Sequence, residues 1–249
     1  MDKQAYLDRI KIESVTAPSR ALLFQLQQQH LLHVPFENLD IHHQRPIRLA
    51  LPAIFQKIVG NRRGGFCYEL NGLFCWLLRE LGFAVEMISA RVPDNNGVYS
   101  PEFDHLALLV KVEGKTFLAD VGFGKFSFQP IELLIGQAQQ DPFGQFIIVQ
   151  HDEDYLRIDT ISQGVATPGY IFKTQARAYE EFAGMCHYHQ TDPNSHFLRN
   201  KLITIAQLGG RMTLINRQLK ITRGDSVEET EFAEGEFEQY LEQYFGIVL

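Results

Sequence analysis

Cys67, His105 and Asp120 are residues whose types, taken together, can carry nucleophilic chemistry. A sulfur attacks a carbonyl carbon, an imidazole takes its proton, and a carboxylate holds the imidazole. Cys67 follows Arg62-Arg63-Gly64-Gly65-Phe66 and opens a strong helical pattern. Two glycines there leave backbone N–H groups free to face whatever lies beside the sulfur. The partial positive charge of a helix start favours thiolate over thiol. The alternative for any free cysteine is a small buried hydrophobe. Cys75, placed mid-helix with no glycine loop, fits that alternative, and Cys186 is indeterminate.

His105 and Asp120 are brought together by a register argument. His105 begins one strand pattern and Asp120 ends the next, with Glu113-Gly114 as the turn between them. A two-residue loop pairs Val112 with Lys115 and Ala107 with Asp120, which makes His105 the diagonal neighbour of Asp120 on the same face. A slip of one residue would separate them. Judged singly, His105 is equally a core histidine satisfied by a carbonyl, and Asp120 a strand-end cap. With Cys67 they form a candidate triad in which Asp120 holds one ring nitrogen and the other takes the Cys67 proton, giving a thiolate and imidazolium pair.

The elements that must position these residues fall into three regions. Residues 1–82 read as helical, with Leu22, Leu23, Leu26, Leu31 and Leu32 at helical spacing and a break at Pro35. A helix is expected from Pro52 to Val59, and the best-defined one from Cys67 to Leu81, with Gly82 at its C′ position. From Ala84 the period becomes that of strands: 85–92, 105–112, 116–121, 145–150, 155–161 and 170–176. After Asp192-Pro193, short strands 203–208, 211–215 and 218–222 precede an amphipathic helix expected over Glu229–Phe245. The fold class is therefore α+β: an N-terminal helical region (1–82) carrying the cysteine, a central antiparallel barrel or sheet (83–190) carrying the histidine and aspartate, and a small α/β tail piece (191–249).

Composition narrows the function classes. The 249 residues carry 23 Lys+Arg against 30 Asp+Glu, a formal charge of −7, which argues against a nucleic-acid footprint. At 45% hydrophobic and 21% charged, the chain can bury a large core. Its apolar runs fall far short of the ~18 residues a bilayer span needs. Met1-Asp2-Lys3-Gln4 shows no secretory pattern, so a cytoplasmic location is expected. The three cysteines are treated as free thiols.

Several blocks together resemble the arylamine N-acetyltransferases: His33-Val34-Pro35-Phe36-Glu37-Asn38-Leu39-Asp40, Arg63-Gly64-Gly65-Phe66-Cys67-Tyr68-Glu69-Leu70-Asn71, Asp104-His105, Asp120-Val121-Gly122-Phe123-Gly124 and the segment Tyr188 to Phe197. The resemblance implies an N-terminal helical bundle, a central antiparallel β-barrel and a small C-terminal α/β lid around a cysteine-protease-like core, with a Cys-His-Asp triad on Cys67, His105 and Asp120. It also implies double displacement, in which acetyl-CoA, a co-substrate, acylates the cysteine and an arylamine or arylhydrazine nitrogen takes the acetyl group. That chemistry belongs to xenobiotic metabolism. No metal is implied.

Other candidates follow from this frame. Glu37 and Arg63 are expected to tie the Pro35 loop to the glycine loop by a charge-assisted pair. Phe36, Phe66 and Phe123 are candidate walls of an aromatic acceptor pocket, with core packing as the alternative. Gly122 and Gly124 suggest close backbone approach by the pantetheine or pyrophosphate of CoA. Gly122-Phe123-Gly124-Lys125 is not a Walker A loop, since Ala119 stands where the first glycine is required. An anionic co-substrate needs a local cationic patch, for which Lys125, Arg199, Lys201 and Arg211 are candidates. Two rivals stand beside this reading. A Cys-His-Asp thiol hydrolase or an amide synthase would share the triad. A metal-binding module would instead use His187, His189 and His196.

Overall fold

The computed structural model describes residues 1–233 and 235–249. Helices α1 (Lys3–Arg9), α2 (Arg20–His33), α3 (Leu39–His42), α4 (Leu51–Phe55) and α5 (Cys67–Glu80) make up the N-terminal region, with α4 running on into a π-helical turn over Gln56–Gly60. Ser19 starts α2 by accepting the Leu22 N–H on its hydroxyl (3.2 Å), and Val34-Pro35 ends it. Helix α5 buries Leu70, Leu73, Phe74, Leu77 and Leu78, and Gly82 follows with φ 88°, the left-handed conformation that closes a helix.

Strands β2 (Ala84–Arg91), β3 (His105–Val112), β4 (Lys115–Ala119), β5 (Ile131–Glu132), β6 (Ala138–Asp141), β7 (Gly144–Gln150), β8 (Leu156–Ser162) and β9 (Val165–Phe172) form a sheet in the order β5-β4-β3-β2-β9-β8-β7-β6, a nearly closed barrel. Strand β3 is buried along almost its whole length because both faces are covered. Leu106, Leu108 and Val110 pack against the helices, while Ala107 and Leu109 enter the barrel core with Ile88, Leu118 and Tyr170. The last barrel strand lies at Val165–Phe172, earlier than the expected 170–176, because its pairing with β8 begins at Ser162↔Val165.

Helices α6 (Ala183–Thr191) and α7 (His196–Arg199) lead to β10 (Leu202–Gln207), β11 (Gly210–Ile215), β12 (Gln218–Arg223) and β13 (Ser226–Glu231), and α8 (Phe237–Phe245) closes the chain. Strand β1 (Phe36–Glu37), from the helical region, pairs with β10 as the edge of this second sheet. Alternation gives the sheet two faces. Ile203, Met212, Leu214, Leu219 and Ile221 pack with Phe237 and Leu241 of α8, whereas Thr204, Arg211, Thr213, Lys220 and Thr222 face a cavity. The helix expected over Glu229–Phe245 begins at Phe237 instead. Residues 226–231 are an exposed strand whose acids pair across it, Glu229 with Lys220 (2.6 Å) and Glu228 with Arg223 (3.2 Å). No helix among the described residues is long and apolar enough to cross a membrane.

Candidate active site

Cys67 is the first residue of α5 and is 3% exposed. The helix start is tied down from two sides. Glu69 accepts the Phe66 N–H (3.1 Å), and the glycine loop lies along the Pro35 loop, with Glu37 N–H donating to the Gly65 carbonyl (2.9 Å). Close packing explains the glycines: a Cβ on Gly64 would stand 2.0 Å from the Pro35 carbonyl oxygen, and one on Gly65 2.8 Å from Glu69 Cβ. The expected freedom of the loop's N–H groups is therefore not its role, since the Gly65 N–H is turned to Pro35 O (3.4 Å).

The β3–β4 hairpin has the register derived above, Val112↔Lys115 through Leu108↔Ala119. Glu113 (φ 53°) and Gly114 (φ 72°) both take the left-handed conformation of a tight two-residue turn. His105 Nε2 lies 2.7 Å from Asp120 Oδ2. Asp120 is held by further donors: Asn71 Nδ2 (2.8 Å) and Gly122 N–H (2.8 Å) on Oδ1, and the Tyr170 hydroxyl (3.2 Å) on Oδ2. Burial and the Asp120 charge push the Tyr170 phenol far up, so it stays a donor. Gln27 accepts the Asp120 N–H (3.1 Å). Asn71, Tyr170 and Gln27 had no role assigned from sequence. Asn71 was findable, since it lies at i+4 from Cys67 on one helix face; the other two depend on contacts across the fold.

Burial pushes the Cys67 thiol up, as do the Asp104 and Asp120 carboxylates, while a hydrogen bond from the Leu106 backbone acts in the opposite sense. The helix start alone therefore does not ionise this sulfur; it needs a proton acceptor close by. Nε2 of His105 is engaged by Asp120, which leaves Nδ1 as that acceptor, and Cys67 and His105 line the same cavity.

Glu37 and Arg63 are joined as expected (2.8 Å), within a larger buried cluster. Arg63 also reaches Asp40 (2.6 Å), and Lys57, which sequence reasoning passed over, contacts Asp40 (2.8 Å), Glu69 (2.9 Å) and Glu37 (3.5 Å). The three carboxylates hold the Lys57 ammonium well above its ordinary value. Through Glu69 the cluster reaches the cap of α5, and so the cysteine.

The cavity is about 880 Å³. Phe36, Phe123, Gly122, Gly124, Lys125, Arg199 and Arg211 line it. Phe66 is not on its wall: the ring is fully buried against Tyr68 (5.0 Å) and Phe197 (6.1 Å), which places it in the core. Lys201 is turned away, paired with Glu238 (2.7 Å) and lying over Phe237, and Lys220 of β12 lines the cavity in its stead. Gly122 is constrained from within, since a Cβ there would stand 2.8 Å from Cys67 Cα and 2.7 Å from Asn71 Nδ2. Arg211 pairs with no carboxylate among the described residues; its guanidinium donates to Thr204 Oγ1 (3.1 Å), and burial pulls it down to about 10. His187 is exposed while His189 is buried, and among the described residues no three metal-ligating side chains converge.

A sequence model of an N-acetyltransferase family matches residues 21–249. An arylamine N-acetyltransferase from Mycolicibacterium smegmatis is 34% identical over 238 residues, 93% of this chain and 86% of that protein. The chain belongs to the arylamine N-acetyltransferase family. Its fold is that of the solved arylamine N-acetyltransferases. The Salmonella typhimurium structure superposes with a TM-score of 0.93 at 31% identity, covering 98% of this chain and 90% of that one. A Mycobacterium marinum arylamine N-acetyltransferase solved in complex with CoA gives 0.90 at 30% identity, covering 99% and 93%. The chain is thus an acyltransferase of the arylamine N-acetyltransferase family.

Proposed function

We propose that this enzyme moves an acetyl group from acetyl-CoA to the nitrogen of an arylamine or arylhydrazine through a thioester on Cys67. In the first half-reaction His105 takes the Cys67 proton as the sulfur attacks the acetyl carbon. The C–S bond to CoA breaks, and the departing CoA thiolate receives that proton. In the second, the amine nitrogen attacks the acetyl-Cys67 carbonyl, His105 accepts an N–H proton, and the electron pair of the broken C–S bond returns to Cys67. Asp120 stabilises the imidazolium each time and fixes the ring with Nε2 toward itself. Acyl transfer between thiols is nearly isoenergetic, so the thioester keeps its reactivity toward nitrogen.

The observation that carries this reading is the 2.7 Å His105–Asp120 bond on the same cavity as Cys67. The cationic wall supports an anionic co-substrate. Lys125, Arg199 and Arg211, which pairs with no carboxylate among the described residues, line the cavity of a chain whose formal charge is −7, beside Lys220, which is paired with Glu229. Phe36 and Phe123 offer aromatic faces, and the Phe123 ring stands edge-on to His105 at 5.0 Å. The names of its relatives place arylamines among the acceptors that such enzymes use.

Steady-state kinetics with both substrates varied tests the proposal. Parallel reciprocal plots, with acetylated amine in proportion to CoA released, are the expected result. Converging lines would mean that both substrates bind before any chemistry, and acetate released in place of acetylated amine would mark a hydrolase.

A further inference from the structure

His189 and Asp104 form a second imidazole and carboxylate pair on the wall of the Cys67 cavity. The proposed acetyl transfer leaves it unused. His189 stands in the last turn of α6, its ring packed against Phe197 (5.1 Å) and Tyr68 (6.1 Å), with 6% of the residue exposed. The hydrogen bonds around it fix its tautomer. Ser195 Oγ receives the Phe197 N–H (3.3 Å) and gives its own proton to the His189 carbonyl (3.1 Å). Toward His189 Nδ1, at 3.3 Å, that oxygen can then only accept. In the neutral form of the ring the proton therefore sits on Nδ1, and Nε2 presents a lone pair.

Nε2 lies 3.1 Å from Asp104 Oδ1, yet among the described residues it has no hydrogen-bond partner. In that form two acceptors are held side by side with no donor between them among the described residues, in a cavity beside the nucleophile. A buried acceptor left unpaired costs about 1–3 kcal/mol, so the arrangement favours a ligand that brings N–H groups to it. Asp104 also acts on the sulfur itself, since its charge raises the Cys67 thiol more than that of Asp120 does.

We propose that His189 Nε2 and Asp104 Oδ1 together hold one N–H of the incoming amine or hydrazine, leave another to face His105, and aim the nitrogen lone pair at the acetyl carbon on Cys67. This rests on the thioester reading above. In the step itself the nitrogen lone pair forms the C–N bond, the C–S electron pair goes to Cys67, and one N–H proton goes to His105. The pair contributes hydrogen bonds to the remaining N–H and undergoes no net change. It takes part in the second half-reaction only.

The two half-reactions, measured separately, provide the test. Rapid quenching without amine gives the rate of acetyl-Cys67 formation, and mixing the acetyl-enzyme with aniline or phenylhydrazine gives the rate of transfer. In His189→Leu, which keeps an apolar side chain against Tyr68 and Phe197, transfer should fall at least about tenfold while acylation stays within about twofold. In Asp104→Ala the thiol loses a neighbouring negative charge, so acylation should hold or quicken while transfer falls. A distorted or partly unfolded site would not move the halves in opposite directions. Transfer within twofold of wild type in these variants, or a parallel fall of both halves, would overturn the proposal. Absence of acetyl-Cys67 in the wild-type enzyme would instead overturn the thioester reading, and this inference with it.

Discussion

Asp120 accepts hydrogen bonds from four groups that come from different parts of the chain: His105, Asn71, Gly122 and Tyr170. Asn71 has the widest reach among them. Its amide nitrogen also donates to Leu106 O (2.6 Å) and its oxygen accepts the Val121 N–H (2.9 Å), so one side chain on α5 ties together both ends of the His105–Asp120 hairpin. Removing it leaves a buried backbone N–H and carbonyl unpaired. Asn71→Ala should therefore lose about 1–3 kcal/mol of stability and lower acetyl transfer by roughly 10- to 100-fold, checked by denaturant unfolding alongside turnover. An unchanged turnover would show that Asp120 is held well enough without it. The pairing of His105 with Asp120 was legible because Glu113-Gly114 permits only a tight turn and fixes the register. Tyr170 and Gln27 were not legible, because they reach Asp120 only after barrel closure and helix docking. Phe66 and Phe123 read alike in sequence, and only packing separates a core ring from one on the cavity wall.

At the scale of elements, α2 and α5 are joined through a buried histidine. His30 Nδ1 lies 2.9 Å from the Tyr6 hydroxyl, its ring is edge-on to Phe74 (5.4 Å), and burial pulls it down to about 3. A depressed histidine value means that the unfolded chain binds a proton the folded chain refuses. Stability present above the unfolded value of 6.5 is therefore lost as pH falls from there toward 3, by at most about 1.4 kcal/mol per pH unit. Replacing His30 with Gln should flatten that acid limb by up to one proton in unfolding experiments between pH 7 and pH 4, and an unaltered slope would count against the assignment. Elements were read best where periodicity was strong: Cys67–Glu80 was one residue from its expected end. Residues 229–231 were misread as helix, and 226–228 given no element, because an acidic, solvent-facing stretch carries little period of either kind. Pairing with Lys220 and Arg223 makes it a strand.

Across the whole molecule, function depends on three bodies of structure facing one space. Helix α5 brings the sulfur, the mouth of the barrel brings imidazole and carboxylate, and one face of the second sheet brings cations. The α+β class and the family were legible because the motifs lie in separate blocks along 33–197. The cationic wall was legible only in part. Strand alternation puts Arg211 and Lys220 on the cavity side; Arg211 was named from sequence, Lys220 was passed over although its strand was read, and Lys201 was counted in error because its pairing with Glu238 depends on where α8 docks. Every step of the account passes through an acetyl group on one sulfur, and that species can be observed directly. The enzyme should be incubated with acetyl-CoA and no amine, digested, and its peptides weighed, before and after an arylamine is added. The account predicts close to one acetyl group per chain on the Cys67 peptide, matched by released CoA and discharged onto the amine; an unmodified Cys67, or acetyl on Cys75 or Cys186, would contradict it.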